Sequence, residues 1–94
     1  MIAIKKEGKF AVGRVVITPG AVSGLSPDDC FEALNRHTRG DWGDLDEDDW
    51  KENDAALEHG FRLFSQYSTQ GDTKFWIITE WDRSVTTILL PEEY

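Results

Sequence analysis

At Gly60 the spacing of apolar residues changes from one in every three or four to one in every two, which divides the chain into a helical part followed by a sheet. Downstream, Phe61 to Thr69, Lys74 to Trp81 and Val85 to Leu90 read as three strands. The links Gln70-Gly71-Asp72 and Asp82-Arg83-Ser84 are short and favour antiparallel neighbours. Phe75, Ile77 and Trp81 share one face of the middle strand, and Trp76 and Ile78 occupy the other. A strand apolar on both faces is central, with helices on one side and a partner or further chain on the other.

Upstream, Leu25-Ser26-Pro27-Asp28-Asp29 is a helix start: Ser26 caps, Pro27 takes the first helical position, and the carboxylates meet the positive dipole end. The helix is expected to run to about His37, with Cys30, Ala33, Leu34 and His37 as its buried stripe and Gly40 as its stop. A second helix is expected from near Leu45, where Asp44 and Glu47 have capping-box spacing, to Gly60. Before both, Ile2-Ala3-Ile4 and Phe10 to Thr18 read as two strands around Lys5 to Lys9, the second halted by a type II turn at Thr18-Pro19-Gly20. The expected fold is a single α+β domain of order ββααβββ, an antiparallel sheet with two helices packed on one face. Its expected core holds Leu34, Trp50, Leu57, Phe75, Ile77 and Trp81, with Trp42 plugging the space between the helices.

Charge is as unevenly distributed as period. Residues 41–58 carry nine carboxylates and one cation, Lys51, so this stretch holds the formal charge of the whole chain, −8. Such a patch repels nucleic-acid phosphates and anionic lipid and attracts basic protein surfaces. On the second helix, Trp50, Asn53 and Leu57 fall on one narrow face, and Glu47, Asp48, Lys51, Glu52 and Glu58 spread over the other. Glu47 and Lys51 form an ordinary i to i+4 pair. Asp48 with Glu52 and Asp54 with Glu58 are like-charge pairs, each costing about 0.2 to 0.5 kcal/mol, a loss that a basic residue would have avoided. A helix of this length spans about 21 Å, over which duplex DNA carries on the order of 12 phosphate charges.

The remaining chemistry is sparse. Ninety-four residues with four Trp make one folded domain. The lone Cys30 forms no internal disulfide, and there is neither a leader-like apolar run nor a membrane span, so a cytoplasmic protein is expected. Asp41, Asp44 and Asp46 lack the glycine turn and distal Glu of a calcium loop, and no zinc spacing or phosphate loop is present, so no metal or cofactor is implied. One alternative site remains: a small enzyme or ligand-binding domain using His37 as general base with Arg39, Asp41, Glu80 and Arg83. Hydroxyls of the segment Thr79 to Thr87, with Tyr67, are further candidates for its lining.

Three stretches carry a resemblance: Arg36-His37-Thr38-Arg39-Gly40-Asp41-Trp42-Gly43-Asp44, Asn53-Asp54-Ala55-Ala56-Leu57, and the run from Trp76 to Tyr94. They resemble a family of small bacterial proteins of plasmids, prophages and other mobile elements, some labelled from neighbouring restriction-modification genes. The resemblance implies a setting of conflict between mobile DNA and host defence, where acidic inhibitors of the anti-restriction and anti-CRISPR type occur; it transfers no catalytic residue. The element order is also similar to that of ribosome-dependent messenger-RNA interferase toxins, whose RNA-facing sheet is basic where this chain is acidic. The expected function is therefore a non-enzymatic inhibitor or adaptor, with mimicry of a short nucleic acid as one form of it, presenting Asp44, Asp46, Glu47, Asp48, Glu52 and Glu58 to a basic protein that binds nucleic acid. It would bind neither nucleic acid nor membrane directly, and it can pair as a homodimer through the second face of its sheet.

Overall fold

The computed structural model describes residues 8–94. The expected strand Ile2 to Ile4 and most of its turn lie outside them. The elements are β1 (Arg14–Ile17), α1 (Pro19–Gly24), α2 (Pro27–Thr38), α3 (Glu47–His59), β2 (Leu63–Ser68), β3 (Lys74–Thr79) and β4 (Val85–Leu89), followed by a 3-10 turn at Pro91–Glu93. They form one α+β domain around a four-stranded sheet of order β1-β4-β3-β2. The three C-terminal strands are antiparallel neighbours, as expected, with Tyr67 opposite Phe75 and Ile77 opposite Ile88. The sheet is nevertheless mixed rather than antiparallel, because β1 runs parallel to β4 with Val15 beside Thr86.

A second correction concerns Thr18-Pro19-Gly20, which opens α1 instead of making a type II turn. Thr18 Oγ1 accepts from the Ala21 N–H at 3.3 Å, and Pro19 occupies the first turn. Glu93, at the far end of the chain, supplies the other contacts: its carboxylate accepts from the Gly20 N–H at 2.9 Å and from the Thr18 hydroxyl. A Cβ on Gly20 would lie 2.7 Å from that carboxylate. The element order is therefore β-ααα-βββ.

α2 starts on Ser26, whose hydroxyl accepts from Asp29 N–H at 3.1 Å, and ends at Thr38. α3 is capped by Asp46 rather than Asp44, and stops at Gly60 in the left-handed region at φ +76°. Tyr67, Phe75, Ile77 and Ile88 meet Cys30, Ala33 and Leu34 of α2, together with Val12, Ala21 and Leu25. Trp42, fully buried, joins Ala56 and Leu63 beneath α3, with Phe10, Leu45, Trp50 and Leu57 around them. Leu34, Phe75 and Ile77 are core as expected, whereas Trp50 and Leu57 are only half-buried. Trp81 is 67% exposed, because β3 ends at Thr79 and the alternation that places Trp81 beside Phe75 no longer applies. On the second face of the sheet the chain covers itself in part: Trp76 meets Phe64 and Tyr94 edge to face, with centroids 4.8 and 5.7 Å apart.

Candidate functional site

The carboxylates of residues 41–58 separate into two groups. Those of the linker between α2 and α3 are bonded into the fold. Asp41 accepts from Arg36 Nε and Nη2 at 2.8 and 3.3 Å and from the Gly43 N–H at 3.1 Å. The Arg36 fork beside it holds the Asp41 carboxyl below its usual range. Arg36 in turn lies over the Tyr67 ring at 4.8 Å, and the Tyr67 hydroxyl donates to the Asp41 carbonyl at 2.7 Å. Asp44 accepts from the Ser68 hydroxyl at 3.0 Å, and Asp46 caps α3 by accepting from the Asp49 N–H at 2.8 Å. On α3 itself Asp54 accepts from Trp42 Nε1 at 2.9 Å.

The linker runs along the outer edge of β2, where the Gln66 N–H donates to the Trp42 carbonyl and the Gln66 carbonyl accepts from the Asp44 N–H. Gly43, bridged to Gln66, makes this approach possible: its φ is +79°, and a Cβ there would lie 1.9 Å from the Gln66 carbonyl oxygen. Nearly two turns into α3, the Asn53 side chain continues the pairing. Its amide donates to the Phe64 carbonyl at 2.6 Å and accepts from the Phe64 N–H at 3.0 Å, as a peptide unit of a neighbouring strand would.

These contacts fix the rotation of α3 about its axis. Asn53 and Ala56 are buried against β2 and Trp42, so Asp48, Asp49, Glu52 and Glu58 point to solvent. None of the four has a hydrogen bond or ion pair from its side chain among the described residues, while Glu47 pairs with Lys51 at 3.1 Å on the same exposed side. The free carboxylates extend over about 15 Å of helix. Of the residues the sequence assigned to a partner, Asp48, Glu52 and Glu58 are therefore free; Glu47 is paired, and Asp44 and Asp46 are exposed but held locally. Asp49 belongs with the free group. Its position at the border between the apolar and polar arcs hides it in a helical projection.

The alternative polar residues other than Arg39 are each held by partners of their own, with Arg83 near enough to His37, and Arg39 to Asp41, to act on its charge. His37 is fully buried, and its hydrogen-bond chain determines its tautomer. Thr86 donates its one hydroxyl proton to the Val12 carbonyl at 2.8 Å, so it accepts from Thr79 at 2.7 Å. Thr79 then accepts from His37 Nε2 at 2.8 Å, which leaves Nδ1 bare to accept from the Ser65 hydroxyl at 2.5 Å. Burial, with a smaller contribution from Arg83, pushes the imidazole down to about 3, so it is neutral and both ring nitrogens are occupied. Arg83 donates to the carbonyls of Phe61 at 2.7 Å and Glu80 at 3.1 Å and reaches Ala56 at 3.4 Å, thereby capping the end of α3. Glu80 faces Arg62 at 3.7 Å, Asp41 faces Arg36, and Arg39 is exposed. Clefts of about 290, 230 and 280 Å³ lie among the described residues, and none of these is lined by His37, Arg39, Asp41, Glu80 or Arg83.

No protein-family model, curated protein or solved structure matches the chain. Among the described residues no three His, Cys, Asp or Glu side chains are grouped to hold a metal ion, and no helix is long and apolar enough to cross a membrane. Burial, reinforced by the neighbouring Asp29, raises the Cys30 thiol above its ordinary value and keeps it protonated.

Proposed function

We propose that this protein is a non-enzymatic acidic inhibitor or adaptor that docks the solvent face of α3 into the nucleic-acid-binding surface of a basic protein, in the setting of mobile-element conflict that its sequence resemblance implies. The observation that carries this reading is the set of four outward carboxylates, Asp48, Asp49, Glu52 and Glu58, without a cationic partner among the described residues on a helix whose other side is anchored. Like charges at one-turn spacing repel in the free protein, and a basic surface relieves that repulsion on binding. Steering by the same charges makes association fast and salt-sensitive.

The test is capture of nucleic-acid-binding proteins from a bacterial lysate at low and moderate salt, followed by elution with duplex DNA or RNA. The reading predicts a partner that nucleic acid displaces and that the Asp48→Lys, Glu52→Lys double variant fails to hold. A partner indifferent to both nucleic acid and the double reversal would remove α3 from the mechanism.

A further inference from the structure

The two edges of the sheet are finished differently. On β2 the outward backbone groups of Phe64 and Gln66 are satisfied by Asn53, Trp42 and Asp44. On β1, the Arg14 and Thr18 N–H groups donate to Ser84 and Ile88 at 3.0 Å, so by alternation those of Val15 and Ile17, with their carbonyls, point away from β4. No other strand meets them among the described residues. All four β1 residues are exposed, Val15, Val16 and Ile17 at 37 to 41%. An apolar groove of about 290 Å³, lined by Val15, Ile17, Val22, Leu25, Phe31 and Leu34, opens beside this edge. β1 is short and carries one charged side chain, Arg14, but neither lysine nor proline interrupts its apolar run Val15-Val16-Ile17.

We infer that the edge of β1 is the dimer interface of this protein, where a second copy adds its own β1 antiparallel across a two-fold axis to make one eight-stranded sheet. The pattern is self-complementary. With Val16 opposite Val16 of the second copy, Val15 and Ile17 exchange backbone hydrogen bonds with Ile17 and Val15 of that copy, and their side chains close the apolar groove. The same register sets Arg14 across from Thr18 of the second copy. Thr18 is bonded to Glu93, whose carboxylate is further fixed by the Gly20 and Leu90 N–H groups, both at 2.9 Å. Arg14 is exposed and makes no ion pair among the described residues, so each copy brings an exposed cation to a prepositioned carboxylate.

The distribution of charge also favours this pairing. α3 packs against β2, three strands from the interface, so seven strand spacings, roughly 34 Å, separate the acidic helices of the two copies. That exceeds the Debye length of about 8 Å at physiological salt several times over. The net charge of −8 therefore does not oppose association at this edge.

Sedimentation of the full chain from micromolar to millimolar concentration, with amide exchange read at Val15 and Ile17, tests the inference. The expected result is a monomer–dimer equilibrium in which both amides become protected as the dimer forms. At low salt Arg14→Glu weakens it at least tenfold. Val16→Lys, which sets two ammonium groups on the axis, weakens it more, and both variants keep the parent circular dichroism because the replaced side chains are exposed. A single-chain mass at every concentration would overturn the inference. So would a dimer indifferent to both substitutions, or protection of Val15 and Ile17 in the monomer, which would assign the edge to residues 1–7.

Discussion

The linker side of the acidic segment and the outer face of α3 have similar composition and opposite roles. Asp41, Asp44, Asp46 and Asp54 are acceptors for Arg36, Ser68, a helix N-terminus and Trp42, and removing them takes away contacts on which the β2 edge depends. Asp48, Asp49, Glu52 and Glu58 hold nothing in place among the described residues. The difference teaches that a charge count locates a region but not its use. A carboxylate is available to a partner only where the fold has not already given it a donor.

The contrast can be broken most severely at Gly43. Gly43→Ala puts a Cβ against the Gln66 carbonyl and the Tyr67 ring at a positive φ, so the linker leaves β2 and orphans the Gln66 backbone groups. The expected loss is about 5 kcal/mol, or failure to fold, measured by urea denaturation.

Acid attacks the same inner side through His37. Its folded value, about 3, lies below the ordinary 6.5, so between those values the unfolded chain binds a proton that the native state does not. Stability is full above pH 6.5 and falls with pH toward 3, by roughly 3 to 5 kcal/mol in total. Below about pH 4 the depressed Asp41 carboxyl adds to the loss. Denaturation midpoints across pH 7 to 3.5 check this, and His37→Gln should flatten the slope above pH 4.

Smaller effects sharpen the comparison. Asn53→Ala leaves the Phe64 N–H and C=O without partners and should cost about 2 to 3 kcal/mol. Asp54→Ala removes the acceptor of a buried Trp42 N–H that water can partly replace, for about 1 kcal/mol. The Asp48→Lys, Glu52→Lys double variant should stay within about 1 kcal/mol of the parent, since it trades one set of exposed helix charges for another.

The parts legible in the sequence are those with local causes. Ser26-Pro27 starts α2, Gly60 stops α3, and period-two runs mark β2, β3 and β4. The illegible parts depend on distant partners. α1 is a short Pro-Gly-Ala-Val-Ser-Gly segment with weak propensity, and its first turn is completed by Glu93, 73 residues away from Gly20. The parallel pairing of β1 with β4 has no local signal, and Trp81 is misplaced by continuing an alternation two residues past the strand end. The outward direction of the acidic face was readable from Trp50, Asn53 and Leu57, and Asn53 is the residue that orients it. His37 reads as a catalytic base in one dimension because the sequence does not show that Ser65 and Thr79 occupy both its nitrogens.

The most direct measurement compares partner capture by two variants of identical net charge at matched salt. One reverses Asp48 and Glu52 to lysine on α3, and the other reverses the exposed Glu32 and Glu92 to lysine elsewhere. Loss of capture with the first and retention with the second is the predicted result. Equal loss in both would show that bulk charge, not the face of α3, attracts the partner, and would contradict the account.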